Sequence, residues 1–195
     1  SSQAIYVDVT NTIATGAHTG IQRVVRRLSD ELNSSEFVFI FFNGTHYVEA
    51  NIHSGVFSID EKPTEITFCR GDVFIDIDAS WGDRLDRMRL YKSLKNAGIR
   101  IINLHYDAVP VLHPAYSHPT TVWRYLEHFV SMLIYSDRVI CISQAVKNDL
   151  KKITNLVKSR TPTMSVIDMG ADILDIKKTY STLPEFLAKK KFILM

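Results

Sequence analysis

The chain has 195 residues, 46% of them hydrophobic and 23% charged, with a formal net charge of +2. These values fit a globular domain with a sizeable core and exclude a disordered or low-complexity chain. So mild a positive balance argues against a nucleic-acid partner, and no run of about 18 apolar residues offers a membrane span.

The chain opens on Ala4-Ile5-Tyr6-Val7-Asp8-Val9, whose β-branched and aromatic content predicts a strand. Thr10 to Gly20 reads as a polar loop carrying Gly16 and Gly20. Ile21, Val24, Val25, Leu28 and Leu32 then recur at helical spacing, with Arg23, Arg26 and Arg27 off the apolar stripe. A glycine loop that feeds a helix N-terminus directs free backbone N–H groups toward an anion. Gly16 and Gly20 would let backbone approach such a ligand closely, and a plain strand-to-helix connection with a solvated arginine face is the other reading. The loop is neither a P-loop nor a dinucleotide fingerprint. Gly20 is followed by Ile21-Gln22 rather than Lys-Ser/Thr, and the two glycines are four apart.

Phe37 to Phe42 is an uninterrupted apolar run, as expected of a strand covered on both faces in a parallel sheet. Asn43-Gly44 signals a hairpin turn. Tyr47 to Ala50 and Val56 to Ile59 are expected as short strands of a surface insertion. Val73 to Asp78 is the next strand, followed by a helix over Arg84 to Asn96 with a Gly98 stop, then a strand over Ile99 to Leu104. Pro119 opens a long helix to about Tyr135. Val139 to Ile142 is a strand, Ser143 caps the next helix, and Met164 to Ile167 is a further strand. Near-continuous alternation of strand and helix predicts an α/β fold, a doubly wound parallel sheet with helices on both faces. Residues 1–180 are expected to form this domain. Residues 181–195 then read as a linker and the opening strand of a second domain.

Two cysteines, Cys69 and Cys141, sit in apolar, strand-like contexts and are expected as buried thiols rather than a disulfide. In the absence of a signal-peptide pattern the cytoplasm is the expected compartment.

Chemistry in such a sheet gathers at the carboxyl ends of the strands. Those ends carry Asp76-Ile77-Asp78-Ala79-Ser80-Trp81, then His105-Tyr106-Asp107, then Ser143-Gln144 and Gly170-Ala171-Asp172. Asp76 and Asp78 could hold a metal on a nucleoside diphosphate, or could simply end a strand. His113 and His118 lie five apart with no third ligand to complete a metal set. Asp107 follows a strongly apolar strand and could serve as a base or bind a hydroxyl; capping the next turn is the alternative. Ser143 lacks the Gly-x-Ser-x-Gly setting of a nucleophile and reads as a helix cap.

Val7-Asp8-Val9-Thr10 with Thr19-Gly20-Ile21-Gln22-Arg23 resembles the amino-terminal signature of bacterial glycosyltransferases of family 4, in the mannosyl- and rhamnosyltransferase branch. Tyr106-Asp107-Ala108-Val109-Pro110 with His113-Pro114 resembles that branch's (His or Tyr)-Asp-x-x-Pro segment. Ile142-Ser143 with Asp149-Leu150, and Gly170-Ala171-Asp172, resemble two further segments in family order.

The resemblance implies the amino-terminal, acceptor-binding half of a two-domain GT-B enzyme. The implied reaction is retaining transfer of a sugar, mannose or rhamnose, from a nucleotide-sugar to a growing O-antigen or capsule glycan. It implies no metal and no other cofactor. Asp107 would be the catalytic residue, while Asp78, Trp81, His105, Tyr106 and His113 would line the acceptor side. Thr19, Gly20 and Arg23 would lie near the donor diphosphate. Acceptors in this branch are often lipid-linked, and Lys147, Lys151, Lys152, Lys158 and Arg160 form a basic region suited to anionic headgroups, with a solvated helix face as the other reading. Two rival readings stand beside it: a metal-dependent GT-A type transferase using Asp76 and Asp78, and a non-catalytic α/β binding module.

Overall fold

The computed structural model describes residues 3–16, 18–82, 85–158 and 160–167. The Gly170-Ala171-Asp172 segment, residues 181–195 and the expected start of a helix at Arg84 lie outside them.

Eight strands form one sheet: β1 (Ile5–Asp8), β2 (Val38–Phe42), β3 (Tyr47–His53), β4 (Val56–Ser58), β5 (Val73–Asp76), β6 (Arg100–His105), β7 (Arg138–Cys141) and β8 (Thr163–Val166). Their spatial order is β4-β3-β2-β1-β5-β6-β7-β8. From β2 through β8 every neighbouring pair is parallel; β2–β3 and β3–β4 are antiparallel. The helices are α1 (Thr10–Thr15), α2 (Gly20–Glu31), α3 (Arg87–Asn96), α4 (Val109–Leu112), α5 (Pro119–Tyr135) and α6 (Gln144–Val157).

Alternation along the strands sends one set of side chains to each face. Ile5, Val7 and Val9 of β1 join Val25 and Leu32 of α2 in one core. Tyr6 and Phe74 join Tyr91 and Leu94 of α3 on the opposite face. There Val139 and Cys141 of β7 also pack with Tyr125, Phe129 and Met132 of α5 and Leu150 of α6. The chain is thus an α/β, Rossmann-like fold with helices on both faces. It leaves β1 in one direction toward β2 and resumes on the other side at β5, so the topological switch point lies between β1 and β5.

Two sequence expectations change. The stretch after β1 is not a loop throughout: Thr10 to Thr15 is helical, ended by Gly16 in the left-handed region at φ 58°. Its first turn is held by carboxylates that a local reading cannot see. Asp8 Oδ1 accepts from Thr10 N at 2.9 Å and Thr10 Oγ1 at 2.6 Å, and Asp78 Oδ2 accepts from Thr12 N at 2.6 Å. The expected surface insertion is instead part of the main sheet. The Asn43-Gly44 turn folds β3 back onto β2, and the ribbon lies against α2, where Asn33 Nδ2 donates to the Ile52 carbonyl.

Other local signals appear where expected. Ser143 Oγ accepts from Val146 N at 3.2 Å at the start of α6, and α5 begins at Pro119. Cys141 is buried, but Cys69 is exposed, a correction to the expectation that both are core thiols. Cys69 lies in the non-strand approach to β5, where its backbone N–H donates to Asp72 Oδ2.

Candidate functional site

Asp8, Asp76 and Asn103 stand in register on the adjacent strands β1, β5 and β6. All three are buried at the carboxyl edge, on the α3 side of the sheet. Like charges side by side on neighbouring strands repel, and burial aggravates the cost. The sequence answers with Arg87, on the inward stripe of α3 with Tyr91 and Leu94. Arg87 Nη1 lies 2.5 Å from Asp8 Oδ2 and 3.3 Å from Asp76 Oδ2. Tyr47 Oη donates to Asp8 Oδ2 at 2.9 Å, Tyr91 Oη donates to Asp76 Oδ2 at 2.5 Å, and Ser80 Oγ donates to Asp76 Oδ1. Sequence reasoning missed Arg87, Tyr47 and Tyr91 as partners of these acids. The available signal was an arginine spaced four and seven residues from Tyr91 and Leu94, which puts a cation on a buried helix face.

Asp78 is buried beneath α1. Besides Thr12 N, it accepts from Thr12 Oγ1 at 2.9 Å and Ala79 N at 2.7 Å. Burial pushes its carboxyl up to about 6 despite those donors, with a smaller upward contribution from Asp8. The Asp76 and Asp78 carboxylates are therefore both occupied by donors of the protein. Among the described residues no group of three or more His, Cys, Asp or Glu side chains is arranged to hold a metal ion.

Asp107 is exposed at the carboxyl end of β6. Its Oδ1 accepts from Val109 N at 3.0 Å and so caps the turn that opens the short helix α4. Capping leaves the carboxylate on the solvent surface, within reach of a ligand. Tyr106 is buried and its hydroxyl donates to the Ile77 carbonyl at 2.6 Å. His105 is buried with its ring 5.8 Å from that of Phe129, and its Nε2 has no hydrogen-bond partner. Burial, aided by His128, holds its pKa down to about 3, so the imidazole is neutral. His113 is exposed between α4 and the 3-10 turn at Pro114–Tyr116.

Thr19, Gly20 and Arg23 are exposed at the start of α2, with Arg23 N donating to the Thr19 carbonyl at 3.0 Å. They lie on the opposite face of the sheet from Arg87. Arg26 turns toward the ribbon, with its guanidinium 5.9 Å from the centre of the Phe57 ring. Of the basic region, Lys152 pairs with Asp149 at 3.2 Å and Arg160 Nη1 donates to the Ile134 carbonyl at 2.9 Å.

A cleft of about 740 Å³ opens between the start of α3 and the middle of α5. Trp81 lines it and stacks edge-on against Tyr125, with ring centres 4.9 Å apart. The Tyr125 hydroxyl in turn donates to the Asp107 carbonyl. His128, also in the lining, lies 5.5 Å from the Trp81 ring. This cleft and the Asp107 loop are thereby joined through two aromatic side chains. His128 was not singled out by the sequence, although Tyr125, His128, Phe129 and Met132 share the inward face of α5.

Compared with known proteins, the chain matches no family model and shows no significant similarity to a curated protein. No helix among the described residues is long and apolar enough to cross a membrane.

Proposed function

We propose that this chain is the acceptor-binding domain of a retaining GT-B glycosyltransferase resembling family 4. On this reading it takes part in building a bacterial surface glycan at the inner face of the cytoplasmic membrane. One observation carries the reading. The family-like segments within the described residues each begin at the carboxyl end of a parallel strand, β1, β6 or β7, with Asp149-Leu150 lying further on within α6. In open α/β sheets that edge is where ligands bind. The Asp76-to-Trp81 loop and the α3–α5 cleft open on the same edge.

On this reading the nucleotide-sugar, carrying mannose or rhamnose, is held mainly by a second domain facing that edge. Asp107, exposed and fixed in direction by its bond to Val109 N, orients or deprotonates the acceptor hydroxyl. Trp81 offers an apolar ring face to sugar C–H groups. Asp8, Asp76 and Asp78 are supports beneath the site rather than ligands, because each is buried and paired within the protein. The occupied state of Asp76 and Asp78 favours this reading over the metal-dependent alternative.

The test is transfer of labelled sugar from nucleotide-mannose and nucleotide-rhamnose donors by the complete enzyme that carries this domain. The expected result is transfer that falls about 100-fold or more in Asp107→Ala. Near-normal turnover in that variant would remove Asp107 from the reaction, and no transfer from any nucleotide-sugar would leave the binding-module reading in its place.

A further inference from the structure

We propose that Tyr125 is a positioning residue: its hydroxyl holds the backbone of Asp107 from within α5 and so fixes where the exposed Asp107 carboxylate stands. The proposal rests on the glycosyltransferase reading for the chemistry of Asp107, and on the geometry around Tyr125 for the rest.

The segment that carries Asp107 has little to hold its shape. The helix that follows, α4, has four residues and no buried side chain. A single helical turn gains too few hydrogen bonds to offset the ordering of its backbone. Its N-cap, Ala108, offers no side-chain hydrogen bond, and Asp107 Oδ1 serves Val109 N instead. That bond orients the carboxylate relative to α4 but does not tie either to the rest of the domain. Tyr106 and Ala108, on the two sides of Asp107, are buried and set the path of the chain. The peptide between Asp107 and Ala108 can still rotate, and its carbonyl is the group that the Tyr125 hydroxyl holds.

Packing alone does not call for a tyrosine at this position. Phe129, one turn further along the inward face of α5, fills the same core without a hydroxyl. A buried phenol is costly unless its O–H finds an acceptor, and the Asp107 carbonyl is that acceptor. The direction of the O–H is fixed by the ring's neighbours. Trp81 meets the Tyr125 ring edge-on with centres 4.9 Å apart, and Phe129 stacks on it at 5.9 Å with 22° between the planes. Burial, followed by the Asp107 charge, raises the pKa of the hydroxyl, so it stays protonated and donating.

The test is Tyr125→Phe, which removes the hydroxyl and keeps the ring. In the chain itself, hydrogen exchange of the Val109, Val111, Leu112 and His113 amides, which hold α4, should speed up about tenfold or more, while α5 and β6 keep their protection. In the complete enzyme, kcat should fall about tenfold with KM little changed, because a misplaced group loses rate rather than ground-state binding. In an Asp107→Ala background the same substitution should lower the residual kcat no further, since its influence passes through Asp107. A general loosening of the core would lower it there too. Unchanged exchange at α4, lost protection in α5 as well, unchanged kcat in an enzyme that depends on Asp107, or a further loss in the Asp107→Ala background would each overturn the proposal. Failure of the two readings is separable. Unchanged exchange in an enzyme that loses transfer in Asp107→Ala would remove the role of Tyr125 alone. Faster exchange confined to α4 in a protein that transfers no sugar would remove the enzymatic reading and leave the hold of Tyr125 on Asp107 standing.

Discussion

Arg87 donates to Asp8 at 2.5 Å across 79 residues of chain, and both side chains are almost wholly buried. The pair joins the first turn of α3 to the carboxyl end of β1, at the switch point of the sheet. With Asp76 3.3 Å from the same nitrogen, one cation serves two in-register carboxylates. Removing the cation leaves two buried like charges. Arg87→Met is therefore expected to lower stability by about 3–5 kcal/mol, read from the urea midpoint. Combining it with Asp8→Asn should restore part of the loss. A drop below about 1 kcal/mol in the single variant would show that the pair is not a main support of the fold.

The buried titratable groups give the domain a signed pH dependence. His105 and His128 are both held near 3, chiefly by burial; His128 also feels Arg87. Their folded values lie below the ordinary 6.5, so their contribution is present above about 6.5 and is lost as pH falls toward 3. Asp78 has the opposite sign. Its folded value of about 6 lies above the ordinary 3.8, so its contribution is full below about 3.8 and is lost as pH rises through 6. Between pH 4 and 6, two histidines each take up a proton on unfolding while one aspartic acid releases one. These three groups leave a net gain of about one proton, and stability should rise by about 1.4 kcal/mol per pH unit there. Asp78→Asn should steepen that slope, and His105→Phe should flatten it. Denaturant titrations at pH 4, 5 and 6 measure all three, and a slope unaffected by either change would refute the assignment.

Gly82 follows Trp81 at the mouth of the switch-point crevice. A Cβ placed there would meet Asn11 Oδ1 at 2.5 Å and the Ala79 carbonyl at 3.1 Å. Asn11 is itself buried, so its side chain has little room to withdraw. Gly82→Ala should cost about 1–3 kcal/mol through overpacking, whereas Gly20→Ala, with nothing within 4 Å, should lack that penalty. Paired thermal melts distinguish the two positions.

The two thiols should react very differently. Cys69 is exposed, while Cys141 is buried and its thiol is pushed up to about 11. Under native conditions at pH 8, a disulfide reagent such as DTNB is expected to modify Cys69 promptly. Cys141 should react only once the protein unfolds. Rapid reaction of both thiols would show that the α5–α6 core opens readily.

Features written in nearby residues were legible from the sequence. Pro119 at the first turn of α5, the Ser143 cap, the apolar run into β2 and the Asn43-Gly44 turn are such features, and each governs only its neighbours in the chain. What escaped depends on distant partners. Thr10 to Thr15 has a loop-like composition yet is helical, because Asp78 caps it from 66 residues away. Tyr47 read as part of a peripheral ribbon, yet its hydroxyl reaches Asp8 at the centre. At the candidate site, Asp107 and Trp81 were legible because they follow apolar strands. Asp78 and Tyr106 stand at equally suggestive positions, but their polar atoms are taken up by Thr12 and the Ile77 carbonyl. A strand-end motif cannot reveal which of its side chains turn inward.

The central place of β1 also sets a schedule for the growing chain. Asp8 leaves the ribosome long before Arg87, and β1 can pair with neither β5 nor its counter-ion until those segments follow. At typical synthesis rates of about 5–20 residues per second, the 79-residue interval lasts about 4–16 s. Until β5 follows at Val73, β1 and β2 can pair only with each other and with the β3 ribbon, leaving the β5 side of β1 open. Codon usage that lengthens translation between residues 42 and 87 would prolong this vulnerable stage, and with it the exposure of β1 to chaperones and to other nascent chains.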